Sequence, residues 1–245
     1  YNDKLPTDRT LGIEWCIADD AIKFTINLED RPITKRGILS TVSQIYDPLG
    51  LLAPFLLQGR SLMQRACQED GGWDDDVSMQ LQGKWKRWKE DISNLKMITI
   101  PRCMKIQGFG EIERLEVHYF GDASFDGYGA CAYLRMFNKL KQIHVALITA
   151  KSRVIPSKGL TVPRLELQAA VEAVRLAAFV RTELQLEINQ EYFWSDSTAT
   201  LGYIKNDDKQ FYMFTTNRVE EIRQLSSPEH WYHIPGNQNP ADIVS

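Results

Sequence analysis

The amino-acid sequence predicts a mixed α/β fold (α+β in arrangement), with helices packed against a sheet in the C-terminal half of the chain. Residues 115–154 alternate apolar and polar side chains between glycine-containing turns, a pattern typical of consecutive strands. Residues 163–180 then repeat apolar side chains at helical spacing, and the short strands EYFWSD and HWYHIP follow with helical stretches between them. Consecutive strands followed by alternating helices and strands build a mixed sheet with flanking helices.

Two other patterns precede this region. Residues 10–28 alternate around an Asp-Asp turn and predict a hairpin, whereas residues 34–98 are helical in pattern. Residues 101–114 contain a proline and two glycines with little periodicity, which indicates a domain boundary. We therefore predict a hairpin region at 1–33, a helical region at 34–100 and an α/β domain at 113–245.

The helical region contains an amphipathic helix in which apolar residues recur at spacings of four and three: Leu81, Trp85, Trp88, Ile92 and Leu95. Lysines and an arginine lie beside the tryptophans, and this pattern has two interpretations. Basic residues next to aromatic ones can grip a nucleic-acid backbone. A core-packing stripe with solvated basic residues is the better supported interpretation.

Composition excludes several classes of protein. The longest apolar run, PLGLLAPFLL, is about half as long as a membrane span, and no signal peptide is evident. Four cysteines lie apart without CxxC spacing, as expected for reduced thiols in an intracellular protein. The formal net charge of −3 means that any nucleic-acid contact depends on a local basic patch. Because the chain opens on Tyr1 and stops at ADIVS, we expect a segment of a longer protein.

Four acidic residues occupy positions where a site can form. Asp122, Asp196 and Asp242 each follow a predicted strand, and strand ends are where sites are built in α/β sheets. Glu166 lies in the helix, on the alanine-rich side that is predicted to pack against the sheet. The opposite, water-facing arc is predicted to hold Arg164, Gln168, Glu172 and Arg175.

Four carboxylates that share a pocket indicate a divalent cation. Like charges and desolvation both penalise such a cluster unless a cation neutralises it. Oxygen ligands without histidine or cysteine spacing favour Mg²⁺ or Mn²⁺, and two such ions can activate water for phosphodiester cleavage. The alternative for Glu166 is a buried ion pair with an arginine. Each aspartate taken alone also fits a turn or a helix cap.

Several segments resemble, in order, the motifs of a retroelement ribonuclease H domain. They are FGDAS with YGACAY, RLELQAAVEA, WSDSTATLGYI and HIPGNQNPADIVS. The N-terminal segments TLGIEW, TKRGILSTVSQIYDPLGLLAP, GGWDDD and ITIPR resemble the region that joins reverse transcriptase to ribonuclease H in Pao-type (BEL/Pao) LTR retrotransposons. Together the resemblances cover nearly the whole chain.

This resemblance implies a ribonuclease H-like fold, a mixed five-stranded sheet with flanking helices, that cuts the RNA strand of RNA–DNA hybrids with two Mg²⁺ ions. The implied ligands and catalytic residues are Asp122, Glu166, Asp196 and Asp242. It also implies covalently linked reverse transcriptase and integrase regions, and activity in cytoplasmic particles. Asn237 stands where many ribonucleases H carry a histidine, a difference that bears on the rate of the reaction.

The basic segment AKSRVIPSKGLTVPR is the candidate for contacts with the phosphates of a hybrid, which proteins recognise by shape, backbone and 2′-hydroxyl. The candidate residues are Lys151, Arg153, Lys158 and Arg164. A solvated basic loop is an equally good interpretation of this segment.

Two rival functions remain open at this point. The first is a connector or hybrid-binding module that retains the fold without catalysis. The second is an aspartic peptidase, which Pao-type polyproteins also contain. The peptidase is disfavoured because its paired Asp-Thr-Gly or Asp-Ser-Gly motifs are absent: Asp122 is followed by Ala-Ser and Asp196 by Ser-Thr.

Overall fold

The computed structural model describes the chain apart from residues 1–6, 11, 12, 25, 27, 158 and 207–210. Its residues form two compact units. The first comprises residues 1–48 and 55–103, and the second comprises residues 49–54 and 104–245. The first therefore contains the predicted hairpin region and all of the predicted helical region except residues 49–54, and the exact domain bounds of 1–33, 34–100 and 113–245 stay a prediction. None of the described helices is long and apolar enough to cross a membrane.

The first unit contains a four-stranded antiparallel sheet and three helices. Its elements are β1 (Thr7–Thr10), β2 (Ile13–Cys16), β3 (Ala21–Phe24), α1 (Lys35–Ser43), α2 (Ala53–Gln68, of which this unit holds the part from Phe55), α3 (Met79–Asn94) and β4 (Thr99–Pro101). The strand order is β1-β2-β3-β4. Strands β2 and β3 form the predicted hairpin, whereas β4 pairs with β3 over a long sequence separation that no local pattern reveals.

Helix α3 has the amphipathic pattern that the sequence predicts. Leu81, Trp85, Trp88 and Ile92 are its buried residues. The Ser78 hydroxyl accepts a hydrogen bond from the backbone N–H of Leu81 (3.3 Å), which caps the start of the helix. The indole N–H of Trp88 donates to the carbonyl of Phe55 (2.8 Å). The core-packing interpretation of the tryptophans is therefore confirmed.

The second unit is a mixed five-stranded sheet with helices, as the sequence predicts. Its elements are β5 (Ile112–Ala123), β6 (Gly127–Asn138), β7 (Ile143–Val154), α4 (Val162–Glu183), β8 (Gln190–Ser195), α5 (Thr198–Lys205), α6 (Met213–Leu225) and β9 (Trp231–His233). The order is β7-β6-β5-β8-β9. Strands β5, β6 and β7 pair antiparallel, while β8 runs parallel to both β5 and β9. This is the mixed five-stranded sheet with flanking helices that the sequence predicts.

Residues 49–54 pack against β7 instead of remaining with the predicted helical region. The carbonyl of Leu49 accepts hydrogen bonds from the backbone N–H of Ala150 (3.0 Å) and from the hydroxyl of Thr149 (2.8 Å). Gly50 has φ +67°, and a Cβ there would lie 1.7 Å from the carbonyl oxygen of Ala150. Only glycine permits this close approach.

Helix α4 covers one face of the sheet, and its small residues bring it close to β5. A Cβ on Gly121 would lie 2.9 Å from the carbonyl oxygen of Ala169, so the helix and the strand meet backbone to backbone. Val117 and Tyr119 are fully buried on this side of β5. The close contact places the N-terminal half of α4 beside the C-terminal end of β5.

The prediction that one arc of α4 faces water is wrong for Glu172. Glu172 is only 1% exposed, whereas Glu166, on the predicted packing side, is partly exposed. Glu172 pairs with Arg153 of β7 (2.8 Å). Helix α6 packs against other residues of the predicted polar arc, because Arg175 forms an ion pair with Glu221 of α6 (2.6 Å) and Arg218 of α6 donates to Gln168. Helical periodicity identifies opposite faces but does not show that a second helix covers the polar one.

Candidate metal centre

Three of the four predicted acids meet at one edge of the five-stranded sheet. Asp122 lies at the penultimate position of β5, Asp196 directly follows β8, and Glu166 lies in the first turns of α4. Because β5 and β8 are parallel neighbours, their C-terminal ends reach the same edge. Each of the three side chains offers an oxygen atom, and these atoms all lie within 4.8 Å of one another.

This acidic triad, Asp122, Glu166 and Asp196, is poorly satisfied by the protein itself. Oε2 of Glu166 and Oδ1 of Asp196 are buried and have no hydrogen-bond partner among the described residues. Burial, followed by the charges of Asp196 and Asp122, raises the pKa of Glu166 to about 8. The Glu166 carboxyl of the metal-free protein therefore retains a proton at neutral pH.

The pKa of Asp122 is also raised by its surroundings. Asp122 is 5% exposed, and burial is the main cause that raises its pKa. The charges of Asp196 and Asp242 raise this pKa further, whereas hydrogen bonds from Ser245 and Asn239 lower it. The Ser245 hydroxyl donates to Oδ2 of Asp122 at 2.6 Å.

The residues of the triad fit a hard divalent cation. All its donor atoms are carboxylate oxygens, which suit Mg²⁺ and Mn²⁺. The two unpartnered buried oxygens are the atoms that a cation would satisfy. The arginine ion pair that the sequence allows for Glu166 is found instead at Glu172, whose Oε1 lies 2.8 Å from Nε of Arg153.

Asp242 lies near the triad but outside it. It is exposed on a 3-10 turn, Pro240–Val244, and its charge acts on the pKa of Asp122. The structure therefore gathers three of the four implied ligands and places the fourth on an adjoining turn. Asn237, on the preceding turn, is exposed.

Asn239 is a residue of the site that the sequence reasoning missed. It is 4% exposed, and its amide N–H₂ donates to the carbonyl of Gly121 (3.2 Å) and to Oδ1 of Asp122 (3.3 Å). An asparagine just before the Pro-Ala-Asp turn is a common cap for a helical start. That local signal predicts the cap but not the contact with Asp122.

The predicted basic residues have different surroundings. Lys151 is exposed on β7, and Arg164 is exposed at the start of α4. Arg153, also on β7, pairs with the buried Glu172. Lys158 lies outside the described residues.

An aromatic ring of α6 extends this basic surface near the start of α4. The guanidinium of Arg218 lies 3.6 Å from the ring centre of Phe214, and that of Arg164 lies 5.1 Å from the same centre. The Nε–H of Arg218 also donates to Oε1 of Gln168 (3.0 Å). Sequence reasoning missed Phe214 and Arg218, because no local pattern shows that α6 packs beside Arg164.

Comparison with known proteins gives a family match and several similar structures. The sequence model of the family described as Pao retrotransposon-like RNaseH-like domain matches residues 34–197. No curated protein sequence matches the chain.

The similar structures are ribonucleases H and a reverse transcriptase. RNase H1 from the halophilic archaeon Halobacterium salinarum NRC-1 shows 15% identity and a TM-score of 0.36, with 54% of this chain and 94% of that chain covered. LC11-RNase H1, in complex with RNA/DNA hybrid, shows 14% identity and a TM-score of 0.35, with 54% and 93% covered. A foamy viral protease-reverse transcriptase in complex with dsDNA shows 14% identity and a TM-score of 0.29, with 93% of this chain and 44% of that chain covered.

Proposed function

Since the chain belongs to the Pao retrotransposon-like RNaseH-like domain family, we propose that it is a ribonuclease H that hydrolyses the RNA strand of RNA–DNA hybrids. One observation carries the proposal. Three acids from two parallel strand ends and one helix offer oxygens within 4.8 Å of one another. Of these acids, Glu166 and Asp196 each have a buried oxygen without a partner among the described residues.

Asp122, Glu166 and Asp196 would hold the metal, two Mg²⁺ ions or Mn²⁺ in their place, with Asp242 contributing from the adjoining turn. When bound, such ions activate a water molecule and stabilise the leaving oxygen in phosphodiester cleavage. Glu166 must lose its proton to become a ligand, because burial and its neighbours raise its pKa to about 8. Metal binding is therefore coupled to proton release at this carboxyl.

The hybrid would lie along the basic side chains near the triad. Arg164 is two positions before Glu166 in α4, so the two side chains point to different sides of the helix and Arg164 would contact the hybrid beside the triad and not at it. Phe214 and Arg218 extend this surface on α6. Such groups contact phosphates and sugars by charge and shape, which suits a hybrid duplex. Lys151 offers a further phosphate contact on β7.

Arg153 and Lys158 are the other two residues predicted to contact the hybrid, and the observations behind them differ. The guanidinium of Arg153 already has Glu172 as a partner, so phosphate contact would be its second role. Lys158 rests on the sequence alone.

In this proposal the chain acts during reverse transcription, as part of a polyprotein with covalently linked reverse transcriptase and integrase regions. Removal of the RNA strand is the step that this site would supply. The expected location is intracellular, in cytoplasmic particles.

The proposal is tested by offering the chain a set of nucleic acids of one sequence: RNA–DNA hybrid, single-stranded RNA, double-stranded RNA and double-stranded DNA. We expect cleavage of the RNA strand of the hybrid alone, in Mg²⁺ and not in EDTA. Tight binding of the hybrid without any cleavage would favour the non-catalytic connector instead.

A further inference from the structure

A buried asparagine joins the end of β5 to the turn that carries Asp242. The Nδ2 group of Asn239 donates to the carbonyl of Gly121 and to Oδ1 of Asp122, two acceptors in the last residues of the strand. Its Oδ1 accepts from the backbone N–H of Ala241 at 3.1 Å. The amide and the carbonyl of this side chain are therefore both used, and they connect segments 118 positions apart in the sequence.

The backbone around Asn239 is itself fixed. Its N–H donates to the carbonyl of Gly236 (2.9 Å), and the N–H of Gln238 donates to the carbonyl of Pro235 (2.8 Å). Gly236 lies against the triad, since a Cβ there would be 3.0 Å from Oδ2 of Asp196. One short turn thus contacts two of the three acids.

A hydrogen bond to one oxygen of a carboxylate limits rotation of the whole group. Ser245 donates to Oδ2 of the same carboxylate, so without the amide of Asn239 one oxygen alone would be held, and repulsion within the triad would favour rotation of Oδ1 away from Glu166 and Asp196. Groups that orient metal-binding side chains in this way change metal affinity strongly when they are removed.

We infer that Asn239 is a positioning residue, which orients the Asp122 carboxylate for divalent-cation binding through its hydrogen bond to Oδ1. The role in metal binding is argued from these contacts alone, and only the use of the metal in catalysis rests on the proposed function. Asn239 would act through Asp122, because its amide already donates to Gly121 and Asp122 and its Oδ1 accepts from Ala241.

The test separates the two hydrogen-bonding roles of the side chain. Asn239→Ser keeps an oxygen that can cap the Ala241 turn, because serine is a favourable capping residue, but it is too short to donate to Asp122. Asn239→Thr serves as a second variant of the same design if the serine variant does not fold. Gln238→Ala, at an exposed position of the same turn, is the matched control.

Mn²⁺ binding to the full chain is measured by electron paramagnetic resonance without nucleic acid, together with the melting temperature and with hybrid cleavage at rising Mn²⁺. We expect Asn239→Ser to bind Mn²⁺ about 10-fold more weakly than the wild type. Its melting temperature should fall by only roughly 2–4 °C, because the donor to Gly121 is lost while the cap of Ala241 is kept, and its cleavage should recover at saturating Mn²⁺.

Two results in the variant would overturn the inference alone: wild-type Mn²⁺ affinity, or a loss of affinity that disappears at temperatures where the variant is fully folded. If the wild type binds no Mn²⁺, the inference and the proposed function both fail. If the wild type binds Mn²⁺ without cutting the hybrid, and the variant still binds it more weakly, the positioning role stands and the ribonuclease proposal fails.

Discussion

Oε2 of Glu166 and Oδ1 of Asp196 are both buried at the same edge of the sheet, and neither has a hydrogen-bond partner among the described residues. Two carboxylates in such a position repel each other and lack compensation from the protein. The arrangement is stable only if a proton or a cation is bound. Because Glu166 belongs to a helix that is otherwise well packed, this local instability supports the proposed function in metal binding.

We predict that Glu166→Gln stabilises the metal-free protein while abolishing tight metal binding. The amide removes one charge from the triad but keeps the shape of the side chain. In EDTA at pH 8, the melting temperature should rise by roughly 2–4 °C, equivalent to about 1 kcal/mol for a domain of this size. Thermal unfolding with and without Mn²⁺ measures both effects. Glu183→Gln, at the exposed end of the same helix, should change neither.

The stability of the metal-free protein should fall as pH rises from about 4.5 to about 8. The pKa of Glu166 is raised from 4.5 to about 8 on folding, so within this window the folded chain binds more protons than the unfolded chain. The stabilisation by the protonated Glu166 is therefore complete below pH 4.5 and is lost as the pH rises through about 8. Urea unfolding in EDTA across this range should show a steeper decline for wild type than for Glu166→Gln; equal slopes would contradict the assignment.

Metal affinity should change with pH in the opposite direction. Because Mn²⁺ competes with the proton on Glu166, binding should strengthen as pH rises towards 8. Calorimetry in buffers of different ionisation enthalpy would report the protons released. No proton release at pH 7 would show that Glu166 is already ionised in the metal-free protein.

Lys151 and Arg153 lie two positions apart on β7, but their substitution should have different effects. Among the described residues, Arg153→Ala leaves the buried Glu172 with only the longer contact to Arg175 (3.3 Å), which should lower the free energy of unfolding by about 1–3 kcal/mol. Lys151→Ala should leave stability within about 0.5 kcal/mol. If Lys151 contacts a phosphate, its loss should reduce the salt dependence of hybrid binding by about 0.9 in the log–log slope. Urea unfolding and fluorescence anisotropy at several salt concentrations separate the two effects.

Gly121→Ala should destabilise the second unit, because the new methyl group would lie 2.9 Å from the carbonyl oxygen of Ala169. Overpacking of this kind typically costs about 1–3 kcal/mol. Gly202→Ala is the matched control in α5, where a Cβ meets nothing within 4 Å and should stabilise the helix by up to about 1 kcal/mol. Equal stability of the two variants would mean that β5 and α4 do not pack this closely.

The sequence predicts much of this fold because its signals are local. Alternation identifies β5, β6 and β7, and the strand ends identify Asp122 and Asp196 as neighbours once β5 and β8 are parallel. The ordered motifs identify the family, which the match over residues 34–197 confirms.

The remaining features depend on contacts between distant segments. The ion pair of the buried Glu172 joins α4 to Arg153 of β7, and the return of β4 to β3 is a long-range pairing. The hydrogen bond from Asn239 to Asp122 spans 117 positions, so no spacing rule reveals it. These features require the folded chain, because each residue looks like an ordinary surface or turn residue in the sequence.

The central claim is tested most directly by single-turnover cleavage of an RNA–DNA hybrid labelled on the RNA strand, with wild type and Asp196→Asn compared in Mg²⁺. The substitution keeps the volume of the side chain but removes one charge from the triad. We predict cleavage of the RNA strand by the wild type, and a rate at least about 100-fold lower for a variant that still binds the hybrid. Equal cleavage by both proteins would contradict the account, since the acidic triad would then have no part in the reaction.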